Sequence, residues 1–215
     1  LGAIENLGCM DVLCTDKTGT LTRGVLGLDS ALDPEGRASQ HVLRLATLNA
    51  RLQSGVRNSL DDAIVAQGAV LPAQCIEPVK LDEIPYDFQR RRLSVVIDER
   101  PDSTRRLVTN GAVVNVLAIC SLIDTDAGPL DLDPARHASV MQRFADWSKQ
   151  GYRVLAVAEK QVSVKERYDD SEESGMTLAG FLLFFDPPEP QAADTLRALG
   201  RLGVSVKVVT GDNRF

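Results

Sequence analysis

The residues best suited to chemistry lie in the segment 16–22, whose sequence is DKTGTLT. The run that precedes this segment is short and mostly apolar, as is typical of a buried parallel strand, and ligands collect outside the carboxyl ends of such strands. Gly19 allows a sharp turn, and the hydroxyl and N–H groups of Thr18 and Thr20 can bind phosphate oxygens or orient Mg²⁺. We therefore interpret Asp16 as a carboxylate nucleophile that forms an aspartyl phosphate.

A second strand-like run ends in the same kind of polar turn. The mostly β-branched segment 204–209 is followed at once by Thr210, Gly211 and Asp212. An ordinary turn would explain that tripeptide if it stood alone. Together with the segment 16–22 it favours a shared site, because ligands gather where the carboxyl ends of neighbouring parallel strands meet. One strand end would supply the nucleophile, and the other would supply a hydroxyl, a glycine N–H and a carboxylate to hold the phosphoryl group.

These motifs resemble those of the P-type ATPases. The family's phosphorylation motif DKTGTLT and its later motifs DPP and TGD occur here in the same order, at 16–22, 186–188 and 210–212. Within the family, the chain looks most like the bacterial magnesium-transporting pumps, through the segments 11–15, 58–61, 84–92 and 151–158. The resemblance implies catalytic roles for Asp16, Lys17, Thr18, Thr210, Gly211 and Asp212, with Asp16 and Thr18 at the metal.

The resemblance also implies the fold class, which is α/β in two domains. A partial haloacid dehalogenase-like, Rossmannoid phosphorylation domain would comprise residues 1–24 and 184–215, and a nucleotide-binding domain, residues 25–183, would be inserted into it. The periodicities of the insertion independently indicate helices interleaved with antiparallel strands, which predicts an α+β domain with an antiparallel sheet flanked by helices. The proline-rich segment 186–190 would form a rigid hinge, and the family pattern suggests that Asp186 orders it.

Periodicity and capping residues predict the individual elements. The predicted helices are 38–50, one that begins at an N-cap Ser59, one between the cap Asp133 and Gly151, and 191–202. The predicted strands are 92–98, which pairs with 106–109 as a hairpin, then 153–158 and 178–185. In the first of these strands, Leu93, Val95 and Ile97 are expected on one face. The acidic segment 169–175 is expected to be a solvated loop.

The resemblance implies that the inserted domain binds the adenine and ribose of ATP. Asp61 matches an acidic residue near the adenine, Phe88 matches an aromatic residue that stacks on the ring, and Arg153 matches a basic residue near the phosphates. From the residues alone, Phe88 could instead be a core aromatic. The arginine run 90–92 is either a solvated basic edge or the source of a side chain that guides the nucleotide.

One position departs from the family pattern. The family usually has Lys-Gly-Ala after a strand, with the lysine deep in the nucleotide pocket, whereas this chain has Asn110 and Gly111 followed by an alanine. An asparagine can donate a hydrogen bond but brings no positive charge. Either the affinity is weaker, or a nearby arginine compensates, or the site has changed its use.

Composition indicates a soluble piece of a larger protein. The 215 residues carry 24 Lys and Arg against 30 Asp and Glu, a formal net charge of −6, so no overall basic field attracts nucleic acid or an anionic membrane. No apolar stretch approaches the ~20 residues needed to cross a bilayer. The resemblance to the pumps implies a fragment that lacks the transmembrane and actuator domains and lies at the cytoplasmic face of the bacterial inner (plasma) membrane. The cysteines lack metal-ligand spacing, which indicates reduced thiols, and Cys14 is expected to pack within its strand.

A soluble phosphatase of the haloacid dehalogenase-like superfamily is the main alternative. Those enzymes usually carry a second Asp two residues after the nucleophile, and here that position is Thr18, which cannot act as a general base at neutral pH. The aspartyl phosphate would then be long-lived, as a pump requires. ATP and Mg²⁺ are the implied ligands, with Mg²⁺ neutralising charge during an in-line transfer to Asp16. A pump for another cation, such as calcium, and a module that only binds nucleotide remain alternatives.

Overall fold

The chain folds into two compact units. The structure is a computed structural model that describes residues 10–55, 57–71, 78–99 and 104–209. The larger unit is Gly27–Phe185, and the smaller unit contains the described residues on either side of it. Each unit has its own sheet.

The described residues form ten strands and five α-helices. The strands are β1 (Val12–Asp16), β2 (Gly27–Leu32), β3 (Val79–Ile84), β4 (Arg92–Glu99), β5 (Thr104–Ala112), β6 (Cys120–Ile123), β7 (Leu130–Asp131), β8 (Arg153–Val162), β9 (Met176–Phe185) and β10 (Ser205–Val209). The helices are α1 (Gln40–Leu52), α2 (Ser59–Gly68), α3 (Val113–Leu117), α4 (Pro134–Lys149) and α5 (Ala192–Arg201). A short 3₁₀ helix, Asp170–Glu172, precedes β9.

The sheet of the larger unit is mostly antiparallel. Its strand order is β3-β4-β5-β8-β9-β6-β7, and β2 also pairs with β9. The β6–β9 pair is parallel, whereas the other pairs of this sheet are antiparallel. One edge of β9 pairs with β8, and the other edge is shared between β6 near its start and β2 near its end. The predicted antiparallel sheet with flanking helices is confirmed.

Helices cover both faces of this sheet. One core cluster contains Val96, Leu107 and Phe181 together with Val116 of α3 and Val140 of α4. Buried residues that alternate with them along the strands, such as Val95 and Val108, face the opposite side, against which α1 packs. The strand β4 is therefore buried on both faces from Leu93 to Ile97, and not on the single face that its sequence suggested.

The predicted helices and strands are present, with ends shifted by a few residues. The helix α1 begins after an N-cap Ser39, whose side chain accepts a hydrogen bond from the N–H of Val42. The predicted cap of α2 is wrong by one position. Asn58 is the N-cap, because its side chain accepts from the backbone of Leu60 and Asp61, and Ser59 is the first helical residue. Four short strands and α3, which lack a clear periodicity, were not predicted: β2, β3, β6, β7 and α3.

The smaller unit brings its two strands together in parallel. In the register of β1 with β10, Asp16 lies opposite Val209, so the prediction that the two strand ends are neighbours is confirmed. Thr210, Gly211 and Asp212 lie outside the described residues. The predictions that β1 is buried and that Cys14 packs within it are wrong, because Cys14 is exposed and no residue of β1 is fully buried.

The acidic segment 169–175 is not uniformly solvated. Glu173 is only 3% exposed, although Asp170 and Ser171 face the solvent. The predicted solvated loop is therefore wrong at this position, because the Glu173 carboxylate points into the protein and binds two arginines, Arg90 and Arg92. No helix among the described residues is both long enough and apolar enough to cross a membrane.

An ionisable cluster joins α1 to the sheet. The Nε2 atom of His41 lies 2.6 Å from Oε1 of Glu159 on β8, and Arg106 on β5 pairs with the other oxygen of Glu159. The hydrogen bond to Glu159 raises the pKa of His41, in opposition to its partial burial. Because the folded pKa is the higher one, this pair stabilises the fold fully below the unfolded pKa of about 6.5 and loses that effect as pH rises through the folded value.

We expect His41→Asn to lower the free energy of unfolding at pH 5.5 by about 0.2–1 kcal/mol, the range of partly exposed ion pairs. At pH 8.5 the difference from wild type is expected to shrink. Urea denaturation at both pH values measures it. The control is His137→Asn, which makes the same substitution at an exposed position of α4. A His41→Asn effect that is independent of pH would contradict the assigned ion pair.

Candidate functional site

Four of the predicted nucleotide-binding positions gather at one end of the larger sheet. Asn110 and Gly111 lie near the end of β5, opposite Leu93 and Arg92 of β4. Arg153 is the first residue of β8, the other neighbour of β5. Phe88 lies in the loop 85–91, which leads into β4. In antiparallel neighbours the start of one strand meets the end of the next, so we call Phe88, Asn110, Gly111 and Arg153 the sheet-end site.

The loop 85–91, which we call the aromatic loop, exposes its Phe88 ring. Phe88 is 85% exposed, and its ring meets the ring of Tyr86 edge to face at a centroid distance of 5.5 Å. The interpretation of Phe88 as a core aromatic is therefore wrong. An aromatic face this exposed offers a surface on which a planar ring can stack.

Local hydrogen bonds shape the aromatic loop. The Oδ1 atom of Asp87 accepts from the N–H groups of Gln89 at 2.9 Å and Arg90 at 2.7 Å, and the N–H of Arg91 donates to the Asp87 carbonyl. The hydrogen bond from Arg90 holds the pKa of Asp87 below its usual value. Arg91 has a positive φ of 49° and is exposed. The loop is thus a defined turn that presents Phe88 and Arg91 to the solvent.

Asn110 lies between the sheet and α1. It is 9% exposed, and its Nδ2 atom is 3.5 Å from the carbonyl oxygen of Ala46. Its Oδ1 atom is buried and has no hydrogen-bond partner among the described residues, which is uncommon for a buried polar atom. Arg153, in contrast, is exposed at the start of its strand. The site therefore combines a buried amide with an exposed cation and an exposed ring.

Asn49 links a helix to the sheet beside the sheet-end site. The sequence indicated it only as a polar residue on the buried face of that helix. It lies on α1 and is almost fully buried. Its Nδ2 atom donates to the carbonyl oxygens of Leu93 at 3.2 Å and Val108 at 2.8 Å. Asn49 thereby joins α1 to β4 and β5 beside Asn110. A polar residue at the apolar spacing of Val42 and Ala46 was the available signal.

Gly111 is explained by close backbone packing. A Cβ atom added there would lie 2.5 Å from the Cβ of Arg92 and 2.6 Å from the carbonyl oxygen of Arg91. The same carbonyl accepts a hydrogen bond of 3.0 Å from the N–H of Ala112. Because these neighbours are backbone or close to backbone, they have little freedom to move. The chain needs a glycine here to let the aromatic loop pass over β5.

We expect Gly111→Ala to lower the free energy of unfolding by about 1–3 kcal/mol, the usual cost of an added methyl group in a tightly packed place. Urea denaturation of the 215-residue chain measures it. Gly27→Ala, at the start of β2, is the matched control, because no atom lies within 4 Å of the added Cβ. Equal denaturation midpoints for the two variants would contradict the close approach.

Asp61 has a local role in the structure. It lies in the first turn of α2, where its Oδ2 atom accepts a 3.1 Å hydrogen bond from the N–H of Asn58 and completes a capping box. The helix α2 packs against α1 and β2. Asp61 is half-buried, and its described hydrogen bond goes to the helix cap and not to the sheet-end site.

In the smaller unit, Asp16 is exposed at the end of β1. Its Oδ1 atom accepts a 2.7 Å hydrogen bond from the N–H of Lys17. The carbonyl oxygen of Lys17 accepts from the N–H groups of Leu21 at 3.0 Å and Thr22 at 3.1 Å, and Gly19 has a positive φ of 75°. The segment after Asp16 therefore closes into a compact turn, and Thr18 is exposed within it.

Asp186 is bonded to the far side of that turn. Its Oδ2 atom accepts from the hydroxyl of Thr22 at 2.6 Å, and its Oδ1 atom accepts from the N–H of Gly24 at 3.0 Å. Two backbone hydrogen bonds, from Arg23 to the carbonyl of Pro187 and from Glu189 to that of Leu21, run beside it. Both carboxylate oxygens of Asp186 thus hold the two chain segments of this unit together.

The comparison with known proteins identifies the family. A family model described as P-type ATPase, cytoplasmic domain N, matches residues 72–191. The chain therefore belongs to the P-type ATPase family. The resemblance inferred from the motifs is confirmed.

Curated relatives match along the chain. Magnesium-transporting ATPase, P-type 1, of Salmonella typhimurium is 41% identical over 221 residues, which cover 100% of this chain and 24% of the relative. The protein of that name from Escherichia coli strain K12 is 39% identical over 218 residues, with the same shares. Plasma membrane ATPase of Zygosaccharomyces rouxii is 30% identical, covering 99% of this chain and 22% of the relative. The chain thus spans about a quarter of the length of these relatives.

Proposed function

We propose that this chain is the nucleotide-binding and partial phosphorylation region of a magnesium-transporting P-type pump. The larger unit would bind ATP, and Asp16 would accept the γ-phosphoryl group as an aspartyl phosphate. The placement of Asp16 carries this proposal, because an exposed carboxylate stands at the carboxyl end of β1 in register with the end of β10. The names of the two bacterial relatives support magnesium as the transported ion.

The proposal includes the domain arrangement. Residues 1–24 and 184–215 would belong to a haloacid dehalogenase-like phosphorylation domain, and residues 25–183 would form the nucleotide-binding domain. The remaining three quarters of the polypeptide, judged by the 24% share of the relatives, would supply the transmembrane and actuator domains. The pump would reside in the bacterial inner membrane with this region at the cytoplasmic face. The parallel β1–β10 pair supports the first domain, since that is the strand arrangement of an open α/β sheet.

The residues at the sheet-end site suit a nucleotide. The exposed Phe88 ring fits stacking on adenine, and the exposed Arg153 guanidinium fits a phosphate. The buried Oδ1 atom of Asn110 has no hydrogen-bond partner among the described residues, so it could accept a hydrogen bond from a donor group of the ligand. Asp61 and Gly111 would act through structure, as a helix cap and as a close-packed backbone position.

The residues around Asp16 suit Mg²⁺ together with phosphate. Mg²⁺ commonly takes one or two protein carboxylates and completes its shell with water and substrate phosphate oxygens, and the exposed Asp16 with Thr18 beside it can meet that need. Bound Mg²⁺ would neutralise charge on the transferred group. Lys17, Thr210, Gly211 and Asp212 would hold the phosphoryl oxygens. Because Thr18 cannot act as a general base, the aspartyl phosphate would hydrolyse slowly in the absence of a further domain.

In the complete pump, we expect Asp16→Asn to abolish the phosphoenzyme, because an amide of nearly the same shape is a poor nucleophile. The measurement is the amount of acid-stable, hydroxylamine-labile label that γ-labelled ATP transfers to the protein. Asp11→Asn, an exposed carboxylate just before β1, is the control and is expected to keep the label. Label that persists in Asp16→Asn would refute the nucleophile. Mg²⁺-dependent phosphate release by the 215-residue chain, lost in Asp16→Asn, would favour the soluble phosphatase instead.

For ATP binding by the 215-residue chain, we expect Asn110→Lys to tighten the affinity by about tenfold. The added cation could form a charge-assisted hydrogen bond of about 1.5–3 kcal/mol, less its desolvation cost, for a net of about 1.4 kcal/mol. Gln161→Lys is the control, because it adds the same charge near the opposite end of β8, at an exposed position. An equal gain in both variants would indicate general attraction and not a specific contact. Titration calorimetry measures the affinities.

In the same titrations, Phe88→Ala is expected to weaken ATP binding by about tenfold, since base–aromatic stacking is worth about 1–3 kcal/mol. The loss is expected in both the wild-type and the Asn110→Lys backgrounds, because stacking does not depend on that charge. Unchanged affinity in Phe88→Ala would place the nucleotide away from the aromatic loop. Unchanged affinity in Asn110→Lys alone would indicate that another cation, with Arg153 as the first candidate, already fills the role.

A further inference from the structure

The loop between β8 and β9 places a carboxylate inside the larger unit. The side chain of Glu173 is fully buried. The loop that carries it is itself well bonded, since Asp169 accepts from the N–H of Ser171 at 3.0 Å, and the Nζ atom of Lys160 donates to the Ser174 carbonyl at 2.8 Å. The position of Glu173 is therefore set by a structured loop, which makes its burial a specific feature of the fold.

Every described hydrogen bond of the Glu173 carboxylate goes to β4 or to the aromatic loop that leads into it. Its Oε2 atom accepts from Arg90 at 2.7 Å and from Arg92 at 2.7 Å. Its Oε1 atom accepts from the hydroxyl of Ser94 at 2.7 Å, and Ser94 is 2.6 Å from the hydroxyl of Thr109 on β5. Because the Ser94 proton goes to the carboxylate, Thr109 is the donor to Ser94. We call these five residues the Glu173 network.

The Glu173 network holds both ends of the aromatic loop. Arg90, near the end of the loop, also donates to the carbonyl oxygen of Pro85 at its start, at a distance of 2.6 Å. Arg92 is the first residue of β4, directly after the loop. The two arginine side chains are only 19% and 13% exposed, so without the carboxylate they would repel each other with little screening by water. The expected solvated basic edge is thus wrong for Arg90 and Arg92, and Arg91 is the exposed arginine of the three.

We propose that Glu173 is a positioning residue for nucleotide binding, which acts by holding the aromatic loop in the conformation that presents Phe88. This proposal rests on the proposed binding of ATP at Phe88. A loop that is ordered before binding loses less conformational entropy when the ligand stacks on it. The described hydrogen bonds of Glu173 go to Arg90, Arg92 and Ser94, so its effect would reach the ligand through the two arginines and the loop backbone.

The first test is Glu173→Gln in the 215-residue chain. This substitution replaces the carboxylate with an amide of the same shape that carries no negative charge. Backbone hydrogen exchange is expected to become faster in the aromatic loop, where the N–H groups of Arg90 and Arg91 bond to Asp87. Glu172→Gln is the matched control, because Glu172 makes the neighbouring ion pair with Lys165 instead. Loop exchange that stays at the wild-type rate in a folded Glu173→Gln variant would overturn the proposal.

The second test is the affinity for ATP in a double-mutant cycle. We expect Glu173→Gln to weaken ATP binding by about tenfold. Adding Phe88→Ala to this variant is expected to weaken binding little further, because the loop would no longer hold the ring where the ligand can stack on it. A general loss of packing would instead lower thermal stability and leave the two affinity changes additive. Additive changes, or an unchanged affinity in Glu173→Gln while Phe88→Ala still weakens binding, would overturn the positioning role and leave ATP binding at Phe88 intact.

A charge-balanced variant keeps the test valid if Glu173→Gln folds poorly. The double variant Glu173→Gln with Arg90→Gln removes one cation with the anion, so the network keeps its original net charge. Its thermal midpoint is expected to lie closer to wild type, while fast loop exchange and weak ATP binding persist because Pro85 and the loop end are no longer joined. Recovery of ATP affinity along with stability would overturn the proposal. A wild-type chain that binds no ATP would overturn the proposed function and, with it, the nucleotide role of Glu173.

Discussion

The pairing of β5 with β4 on one side and β8 on the other is the constraint on which the larger unit depends. This register places Asn110 and Gly111 beside the start of β4 and at the same end of the sheet as Arg153. It also forces the backbone of the aromatic loop against β5 so closely that only a glycine fits at position 111. Backbone hydrogen bonds between neighbouring strands are therefore what converts residues far apart in the chain into one candidate site.

The ion pairs of the larger unit differ in their exposure to water and therefore in the strength of their electrostatic interactions. The pairs of Arg37 with Asp33 and Asp126 are partly or largely exposed, so water and salt weaken them. The Glu173 network is buried, where Coulomb interactions are stronger and an unpaired charge is costly. A charge change at Glu173 therefore has structural consequences that the same change on the surface does not have.

In the smaller unit, the carboxylate of Asp16 is exposed and is also held by a hydrogen bond. The parallel β1–β10 pair places Asp16 at a strand end, and the Lys17 N–H bonds one of its oxygens. Asp186 then bonds Thr22 and Gly24, so the turn that follows Asp16 is held to the chain that returns from the larger unit. An ordered turn of this kind would limit the reorganisation required for the proposed binding of a phosphoryl group.

Local sequence determined much of this protein: the turn that follows Asp16, the cap Asp133, and the principal helices and strands were predictable from motif and periodicity. These features depend on residues within a few positions of one another. Tertiary structure alone decided that Phe88 is exposed, that Asn110 is buried against α1 and that Glu173 lies inside an apparently solvated acidic loop. Burial and ion pairing depend on what other segments bring to the same place, as when Glu173 meets an arginine 83 positions earlier. Local pattern does not encode such long-range contacts.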